Sequence, residues 1–210
     1  MNPIFLIKIS VLIILFFSII IHENAHGYAA LLCGDDTAKV MGRLTLNPLP
    51  HIDPMGTIFL PLFLLFIGSP FLFGWAKPVP INPYNFQDYK KGIFFTGVAG
   101  PLSNIILAFF IAFLFRIFNL SPGSAFGLLL TYGCLINLLL AIFNLIPIPP
   151  LDGSRVVSAL LPPRLEASYR RLEPFGIFIV MFLFISGLFS VVWGLVEVLG
   201  GVLLGTSVVI

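Results

Sequence analysis

The chain has 210 residues, of which 59% are hydrophobic and only 10% are charged, and its mean hydropathy is +1.08. A soluble domain of this size could not cover its surface with so few charges, so the composition indicates an integral membrane protein. The net charge of +2 is too small and too scattered for a nucleic-acid-binding protein.

Four apolar stretches predict membrane-spanning helices, at roughly 4–32, 92–117, 124–146 and 175–210. The first is too long for the apolar core of a signal peptide, and no small-residue cleavage site follows it, so we expect it to be retained. The last has room for a span and an interfacial helix. We predict an all-α polytopic membrane protein, a bundle of about four to six transmembrane helices. It is predicted to be a single domain over 1–210, with its core at 4–160.

Two further stretches have less regular patterns. The segment 56–75 is apolar but is interrupted by Pro61, Gly68 and Pro70. The stretch 37–46, T-A-K-V-M-G-R-L-T-L, mixes β-branched and apolar residues with a glycine, which predicts one or two short β-strands. The edge of such a strand could hold an extended substrate, or the stretch could form a purely structural hairpin.

The first predicted helix carries I-H-E-N-A-H-G at 21–27. Ionisable residues are costly inside a membrane and indicate a functional site, although buried hydrogen bonding is the structural alternative. His22 and His26 are four residues apart, so they point the same way and can bind one metal ion. Glu23 lies about 100° further round the helix, where it can accept a proton from water. This spacing is the H-E-x-x-H arrangement of zinc metalloproteases.

A catalytic zinc site usually has three protein ligands, so a third ligand is expected. The polar candidates at membrane depth are Asp152, which closes an apolar span, and His51 and Asp53 in the loop P-H-I-D-P. The last two could instead orient a zinc-bound imidazole or cap a turn. For Asn104, in G-P-L-S-N, we predict an interhelical hydrogen bond.

The motif I-H-E-N-A-H-G, followed later by F-N-L-I-P-I-P-P-L-D-G-S-R, resembles the site-2 protease family of intramembrane zinc metalloproteases, in the short form without a PDZ domain. V-A-G-P-L-S-N in the intervening span agrees with this resemblance, which covers about residues 15–160. It implies that Asp152 is the third ligand of one zinc ion per chain. It also implies that Asn144 positions the substrate or stabilises the oxyanion. The implied metal ligands are His22, His26 and Asp152, with Glu23 as the catalytic base.

The predicted function is hydrolysis of peptide bonds in membrane-spanning or membrane-associated protein substrates. Two alternatives from other classes are a metal-ion transporter and a catalytically inactive membrane chaperone that binds substrate helices. A transporter would need several sites along a path, whereas the metal ligands here lie at one depth. The complete set of ligands together with Glu23 disfavours the chaperone.

The ligand set also constrains the topology. The two histidines lie near the C-terminal end of the first span, and Asp152 follows the C-terminal end of another span. These two helices must therefore run parallel, which requires an odd number of crossings between them and predicts that 56–75 is a re-entrant hairpin. All basic residues except Lys8 and Arg116 then lie on one side. The positive-inside rule makes that side cytoplasmic, so we predict a cytoplasmic-membrane protein whose active site opens towards the cytoplasm.

Overall fold

A computed structural model describes residues 3–69 and 74–206, and within them the chain is helical and contains no strand. Short turns of 3-10 helix at Leu49–His51, Pro83–Asn85 and Glu173–Phe175 and a π-helix at Pro54–Phe59 lie between the α-helices. The α-helices are α1 (Pro3–Leu32), α2 (Thr37–Val40), α3 (Leu60–Phe66), α4 (Tyr89–Ile117), α5 (Ala125–Asn144), α6 (Asp152–Leu160), α7 (Pro163–Arg170), α8 (Gly176–Ile185) and α9 (Leu188–Leu204).

The helices α1, α4 and α5 are long and apolar enough to cross a membrane, and they match three of the predicted spans to within a few residues. The fourth predicted span is divided into α8 and α9, which are bent by 74° relative to each other. The break contains Gly187, whose φ of 78° is accessible to glycine without a steric penalty. The described residues therefore hold three potential spans, or four if the bent pair is one span.

Small residues on α4 place this helix at the centre of the bundle, in contact with α1, α5, α6 and α9. In membranes, such residues allow helix backbones to approach closely. A Cβ atom on Gly97 would lie 3.1 Å from the carbonyl oxygen of Asp152, so α6 packs directly against the backbone of α4. The apolar core between α4, α5 and α9 contains Ala108, Ala112, Phe115, Cys134, Leu135, Leu138, Val196 and Leu204.

Hydrogen bonds between connecting segments show which helix ends lie together. The backbone N–H of Gln87, just before α4, donates to the carbonyl of Cys33, just after α1, at 3.0 Å. The Arg170 guanidinium of α7 donates to the Tyr89 hydroxyl at the start of α4, at 2.8 Å. The end of α1, the start of α4 and α7 therefore share one end of the bundle.

The end of α5 lies there too, because the Tyr169 hydroxyl of α7 donates to the Pro147 carbonyl just after α5, at 2.7 Å. At the opposite end, Arg116 in the last turn of α4 donates to the carbonyls of Val202 and Leu203 in α9, at 2.5 Å each. Helices α1 and α5 consequently run parallel, with α4 antiparallel to both. This is the arrangement that the order of the two motifs requires.

The described residues 54–69 begin close to the point where residues 74–77 resume, and Ser69 lies beside Lys8 of α1, whose ammonium donates to the Ser69 carbonyl at 3.0 Å. Its helical part, Pro54–Phe66, is a short apolar helix that would extend about 20 Å, less than the roughly 30 Å of a hydrocarbon core. On return, the backbone N–H of Trp75 donates to the Gly56 carbonyl at 3.1 Å, and that of Lys77 to the His51 carbonyl at 2.9 Å. The re-entrant hairpin stays a prediction, and Pro70 lies outside the described residues.

The stretch 37–46 differs from the prediction of short strands. Thr37–Val40 forms the helical turn α2, and Gly42, at φ 65°, then reverses the chain. The Arg43 backbone N–H closes this turn by donating to the Ala38 carbonyl at 2.8 Å. No neighbouring backbone in the described part of the chain pairs with these residues as a ladder, and β-branched side chains do not make a strand without one. The predicted substrate-binding edge at 40–46 therefore has no strand behind it.

Asp35 is fully buried and connects the end of α1 to the segment that precedes α4. Its carboxylate accepts hydrogen bonds from the Thr37 hydroxyl at 2.5 Å, the Asn82 backbone N–H at 2.7 Å and the Asn85 amide at 2.8 Å. Burial alone would raise the pKa of Asp35, but these hydrogen bonds outweigh it and lower the pKa below its ordinary value. The ionised carboxylate is thus the form that holds the two segments together.

We predict that Asp35→Asn lowers the thermal unfolding midpoint in detergent at pH 7, whereas Asp36→Asn, at an exposed neighbour, does not. Because the folded-state pKa of Asp35 is depressed, its contribution to stability is present above the unfolded value of about 3.9 and is lost as the pH falls through the folded value. The difference between wild type and Asp35→Asn should therefore narrow below pH of about 4. A difference independent of pH would contradict this account.

Candidate metal centre

Three side chains from distant parts of the sequence meet between α1, α4 and α6. The Nε2 atoms of His22 and His26, one helical turn apart on α1, lie 3.0 Å from each other. Asp152 Oδ2 lies 3.0 Å from His22 Nε2 and 3.2 Å from His26 Nε2. All three residues are buried. The structure thus brings together the three residues that the family resemblance implies as metal ligands.

The proline-rich segment after α5 brings Asp152 to this position. Residues 145–151 form consecutive turns rather than the extended chain that the prolines suggest, and the Leu151 N–H donates to the Ile148 carbonyl at 2.9 Å. Asp152 is the first residue of α6, where the helix dipole favours a negative charge. A Cβ atom on Gly153 would lie 2.2 Å from the Leu145 carbonyl oxygen, so glycine is needed for this close approach.

A chain of amides determines which nitrogen of His22 carries the proton. The Asn137 amide nitrogen donates to the Gly133 carbonyl at 2.9 Å, so the side-chain oxygen of Asn137 faces Asn104. The Asn104 amide nitrogen donates to that oxygen at 2.7 Å, so Asn104 Oδ1 faces His22 Nδ1 at 2.6 Å and must accept its proton. In the neutral ring, His22 Nε2 therefore presents a lone pair to the cluster. The Ser18 hydroxyl accepts a second hydrogen bond from Asn137 at 2.9 Å.

His26 is oriented by the backbone of α4. Its Nδ1 lies 2.6 Å from the carbonyl oxygen of Thr96, which can only accept, so Nδ1 carries the proton. The lone pair of His26 Nε2 therefore also points into the cluster. Hydrogen bonds of this kind fix the tautomer and the ring orientation of metal-binding histidines.

These contacts place three lone-pair-bearing atoms within 3.2 Å of one another. Such atoms repel unless a cation lies between them, and two neutral imidazoles with one carboxylate are a typical donor set for catalytic zinc. Ligands about 2.0–2.1 Å from a tetrahedral zinc ion lie about 3.4 Å apart, close to the observed separations. The residues present therefore fit zinc, and His22, His26 and Asp152 would hold it.

Gly100 provides the room for this cluster. A Cβ atom at this position would lie 2.4 Å from His26 Nε2 and 2.6 Å from His22 Nε2, so any side chain here would occupy the space of the imidazoles. The absence of a side chain at Gly100 thus leaves space for the two histidines. Thr96, Gly100 and Asn104 are spaced four residues apart and form one stripe of α4 that faces them.

Glu23 lies beside the cluster but outside the group of potential ligands. It is partly exposed, and its Oε2 accepts a hydrogen bond from the backbone N–H of Val79 at 2.7 Å. The two histidines one residue before and three residues after it are buried. The carboxylate is thus held at the edge of the cluster, where solvent has access to it.

The other predicted site residues lie away from the three ligands. The Asn144 amide nitrogen donates to the Leu140 carbonyl at 2.9 Å, within its own helix, so its predicted role in substrate binding stays a prediction. Asp53 Oδ1 accepts from the backbone N–H groups of Met55 and Gly56, at 3.0 and 2.8 Å, which makes it a helix cap. His51 is fully buried, and its Nε2 donates to the Thr45 carbonyl at 2.9 Å.

The sequence predicted the three candidate ligands but not the residues that orient them. The prediction of an interhelical hydrogen bond for Asn104 is correct, but its partner is the candidate ligand His22 rather than an inert neighbour. Asn137 and Ser18 received no prediction at all. The four-residue spacing of Thr96, Gly100 and Asn104 was the available signal, since it is the same spacing as that of the two histidines.

Known proteins similar to this chain identify its family. The chain matches the profile of Peptidase family M50 over residues 121–187. It is 40% identical over 189 residues to YwhC of Bacillus subtilis, which is named as a candidate zinc metalloprotease. That match covers 86% of this chain and 83% of YwhC. The chain belongs to peptidase family M50, the site-2 protease family.

Two further relatives carry similar names. Rip2 of Mycolicibacterium smegmatis, also named as a candidate zinc metalloprotease, is 29% identical over 169 residues, which cover 80% of this chain and 64% of Rip2. MJ0611 of Methanocaldococcus jannaschii, named in the same way, is 48% identical over 90 residues, or 41% of this chain and 45% of that protein. No solved structure gives a significant match. Together with its apolar helices, these matches indicate a multi-pass membrane protein of the zinc metalloprotease type.

We predict that Asn104→Ala lowers zinc affinity by about 10- to 100-fold, the usual effect of removing a hydrogen-bond partner of a metal-bound histidine. The loss follows because His22 would no longer be fixed in the tautomer whose Nε2 lone pair faces the cluster. Zinc affinity can be measured by competition with a fluorescent chelator in detergent. Ser103→Ala is the matched control, because the Ser103 hydroxyl donates only to the Gly100 carbonyl of its own helix, at 2.7 Å. Equal zinc affinities for the two variants would contradict the role given to Asn104.

Proposed function

We propose that this M50 protein is an intramembrane zinc metalloprotease that hydrolyses peptide bonds of membrane-spanning or membrane-associated proteins. The observation that carries the proposal is the convergence of three lone pairs, from His22, His26 and Asp152, with the carboxylate of Glu23 at their edge. A purely structural cluster would not need two imidazoles that both direct an unprotonated nitrogen at a carboxylate.

The chemistry is divided between the metal and the protein. Zinc, when bound, polarises the scissile carbonyl and makes water more acidic. Glu23 accepts a proton from the attacking water and delivers it to the leaving amine. Asn104 and the Thr96 carbonyl orient the two imidazoles so that Nε2 of each ring, the nitrogen that would bind the metal, faces Asp152. The proposed role of Asn144, a hydrogen bond to the developing oxyanion, is supported by the family resemblance alone.

The position of the site along α1 supports a substrate in the membrane. His22 lies ten residues before Leu32, the last residue of α1, which corresponds to about 15 Å along a helix axis. In a hydrocarbon core of about 30 Å this is well inside the membrane. A transmembrane substrate would have to unwind locally there, because a helix keeps its carbonyls hydrogen-bonded.

The distribution of charge supports an active site that opens towards the cytoplasm. The end of the bundle with the loops around α2, α6 and α7 carries nine of the eleven lysines and arginines, and only Arg116 and Lys8 lie elsewhere. The positive-inside rule assigns the richer end to the cytoplasm. In this orientation the segment 56–75 enters the membrane from the cytoplasmic side and returns to it as a re-entrant hairpin.

The two alternative functions have less support. A transporter needs a series of sites across the membrane, whereas His22, His26 and Asp152 form one potential metal cluster in the described part of the chain. A chaperone without activity would not need an acidic residue held beside that cluster. The protease is therefore favoured over both.

The variant Glu23→Gln tests the catalytic assignment. Glutamine retains a carbonyl oxygen that can accept from the Val79 N–H, so folding and zinc content should be preserved. We expect kcat for a reconstituted membrane substrate to fall by about 10²- to 10⁴-fold, the usual contribution of a general base. Glu173→Gln, at an exposed carboxylate, should have no effect.

The outcomes separate the three functions. Undiminished cleavage by zinc-loaded Glu23→Gln would refute the assignment of the base. Zinc flux into vesicles without cleavage by the wild type would indicate a transporter. Substrate retention without either activity would indicate a chaperone.

Single cysteines, introduced after Cys33 and Cys134 have been replaced by serine, test the orientation and the hairpin. Cysteines at Met55 and Lys77 should both react with a membrane-impermeant thiol reagent from the cytoplasmic side, and a cysteine at Asn119 from the opposite side. Labelling of Met55 and Lys77 from opposite sides would show that 56–75 crosses the membrane. Labelling of all three positions with the sides reversed would overturn the orientation alone.

A further inference from the structure

An extended segment, W-A-K-P-V-P-I-N at 75–82, lies along the C-terminal half of α1 and is called the strap here. Its backbone N–H groups are bound at intervals: Lys77 to the His51 carbonyl, Val79 to the Glu23 carboxylate and Asn82 to the Asp35 carboxylate. The two carboxylates belong to α1 and to the loop that follows it. Hydrogen bonds therefore hold the strap at Glu23, in the candidate active site, and at positions before and after it.

Val79 is the point at which the strap touches the I-H-E-N-A-H-G motif. Its side chain is buried, and a Cβ atom on Gly27 would lie 2.9 Å from Val79 Cγ1. Gly27, with which the motif ends, thus allows the strap to lie directly on α1. The strap can then bring a backbone group within hydrogen-bond distance of Glu23.

Prolines on both sides make the Val79 N–H distinctive. Pro78 and Pro80 have no N–H group, so between 78 and 80 the backbone has a single donor. That donor lies 2.7 Å from Glu23 Oε2. A hydrogen bond to an ionised carboxylate is about twice as strong as one between neutral groups. The position of the Pro78–Val79 peptide therefore determines the orientation of Glu23.

The other side of this same peptide is held by Arg43. Its Nη2 atom donates to the Pro78 carbonyl at 3.1 Å and to the Lys77 carbonyl at 2.9 Å. Because a peptide group is planar, its C=O and N–H are fixed relative to each other. The contacts run from the guanidinium of Arg43, through one rigid peptide, to the carboxylate of Glu23.

The environment of Arg43 shows that this contact is specific. Its exposure is only 8%, and none of the ion pairs within residues 3–69 and 74–206 includes it. A buried cation is costly unless its donors are used. Arg43 Nη2 donates to the strap carbonyls of Lys77 and Pro78, whereas its buried Nε has no hydrogen-bond partner among the described residues.

We propose that Arg43 is a positioning residue for Glu23 and acts through the Pro78–Val79 peptide. This inference rests on the proposed function, in which Glu23 is the general base. Arg43 does not touch the cluster of ligands, so it contributes to the chemical step without contributing to zinc binding. Loss of its charge and donors releases the strap and leaves the base misplaced.

Steady-state kinetics with a reconstituted membrane substrate test the proposal. We expect Arg43→Gln to lower kcat by about 10- to 100-fold, the size of effect that a small misplacement of a catalytic group produces, with unchanged KM and zinc content. Arg43→Lys keeps a charged donor for the two carbonyls and should restore most of kcat. Lys39→Gln, at an exposed cation on α2, controls for the loss of charge. A kcat for Arg43→Gln equal to that of Lys39→Gln, or a rise in KM alone, would overturn the proposal.

A second measurement does not depend on activity. Thermal unfolding midpoints of the zinc-free protein are compared for wild type, Arg43→Gln, Glu23→Ala and the double variant. If the two residues are coupled through the peptide, Arg43→Gln lowers the midpoint more in the wild-type background than in the Glu23→Ala background, which lacks the acceptor for the Val79 N–H. Equal losses in both backgrounds would overturn the proposal. An inactive wild type with unequal losses would instead refute the protease and leave the coupling of Arg43 to Glu23 standing.

Discussion

The lone pairs of two imidazoles and one carboxylate meet within 3.2 Å, and the rest of the bundle is arranged so that they can. Each of these groups accepts hydrogen bonds, and each is costly to place in hydrocarbon without a partner. The histidine rings have partners on the side away from the cluster, where Asn104 Oδ1 and the Thr96 carbonyl accept the Nδ1 protons. On the side of the cluster, the two Nε2 atoms and Asp152 Oδ2 can be stabilised by a cation between them.

Helix α4 is the element that makes this possible. Its stripe of Thr96, Gly100 and Asn104 supplies a backbone acceptor, an empty space and a side-chain acceptor at consecutive turns. Gly97, one position away, lets α6 approach closely enough to deliver Asp152. A helix with ordinary side chains at these positions would keep α1 and α6 apart. The central helix therefore contributes no candidate ligand and still determines the geometry of the ligands.

The sequence predicted those parts of the structure that follow from a local pattern of residues or from the need to bring the candidate ligands together. The three long spans follow from hydropathy, and the parallel course of α1 and α5 follows from the need to bring His22 and Asp152 together. The stretch 37–46 was wrongly predicted as strands because β-propensity says nothing about whether a partner strand is present. The break at Gly187 was missed because several glycines nearby look alike until one of them adopts a left-handed conformation. Contacts such as that of Arg43 with the strap join residues about 35 positions apart, and no local pattern encodes them.

The three kinds of side chain in the site are each supported by a different segment, and this division has a physical reason. The histidines must keep one tautomer, which requires fixed acceptors, and a transmembrane helix such as α4 provides them rigidly. Asp152 must reach the cluster from the end of another span, which requires the compact turns of the proline-rich segment. In the proposed function Glu23 exchanges protons with water, so it cannot be enclosed as the candidate ligands are. A backbone N–H from the strap suits this third task, because it directs the carboxylate through one oxygen, Oε2, while the side chain stays partly exposed.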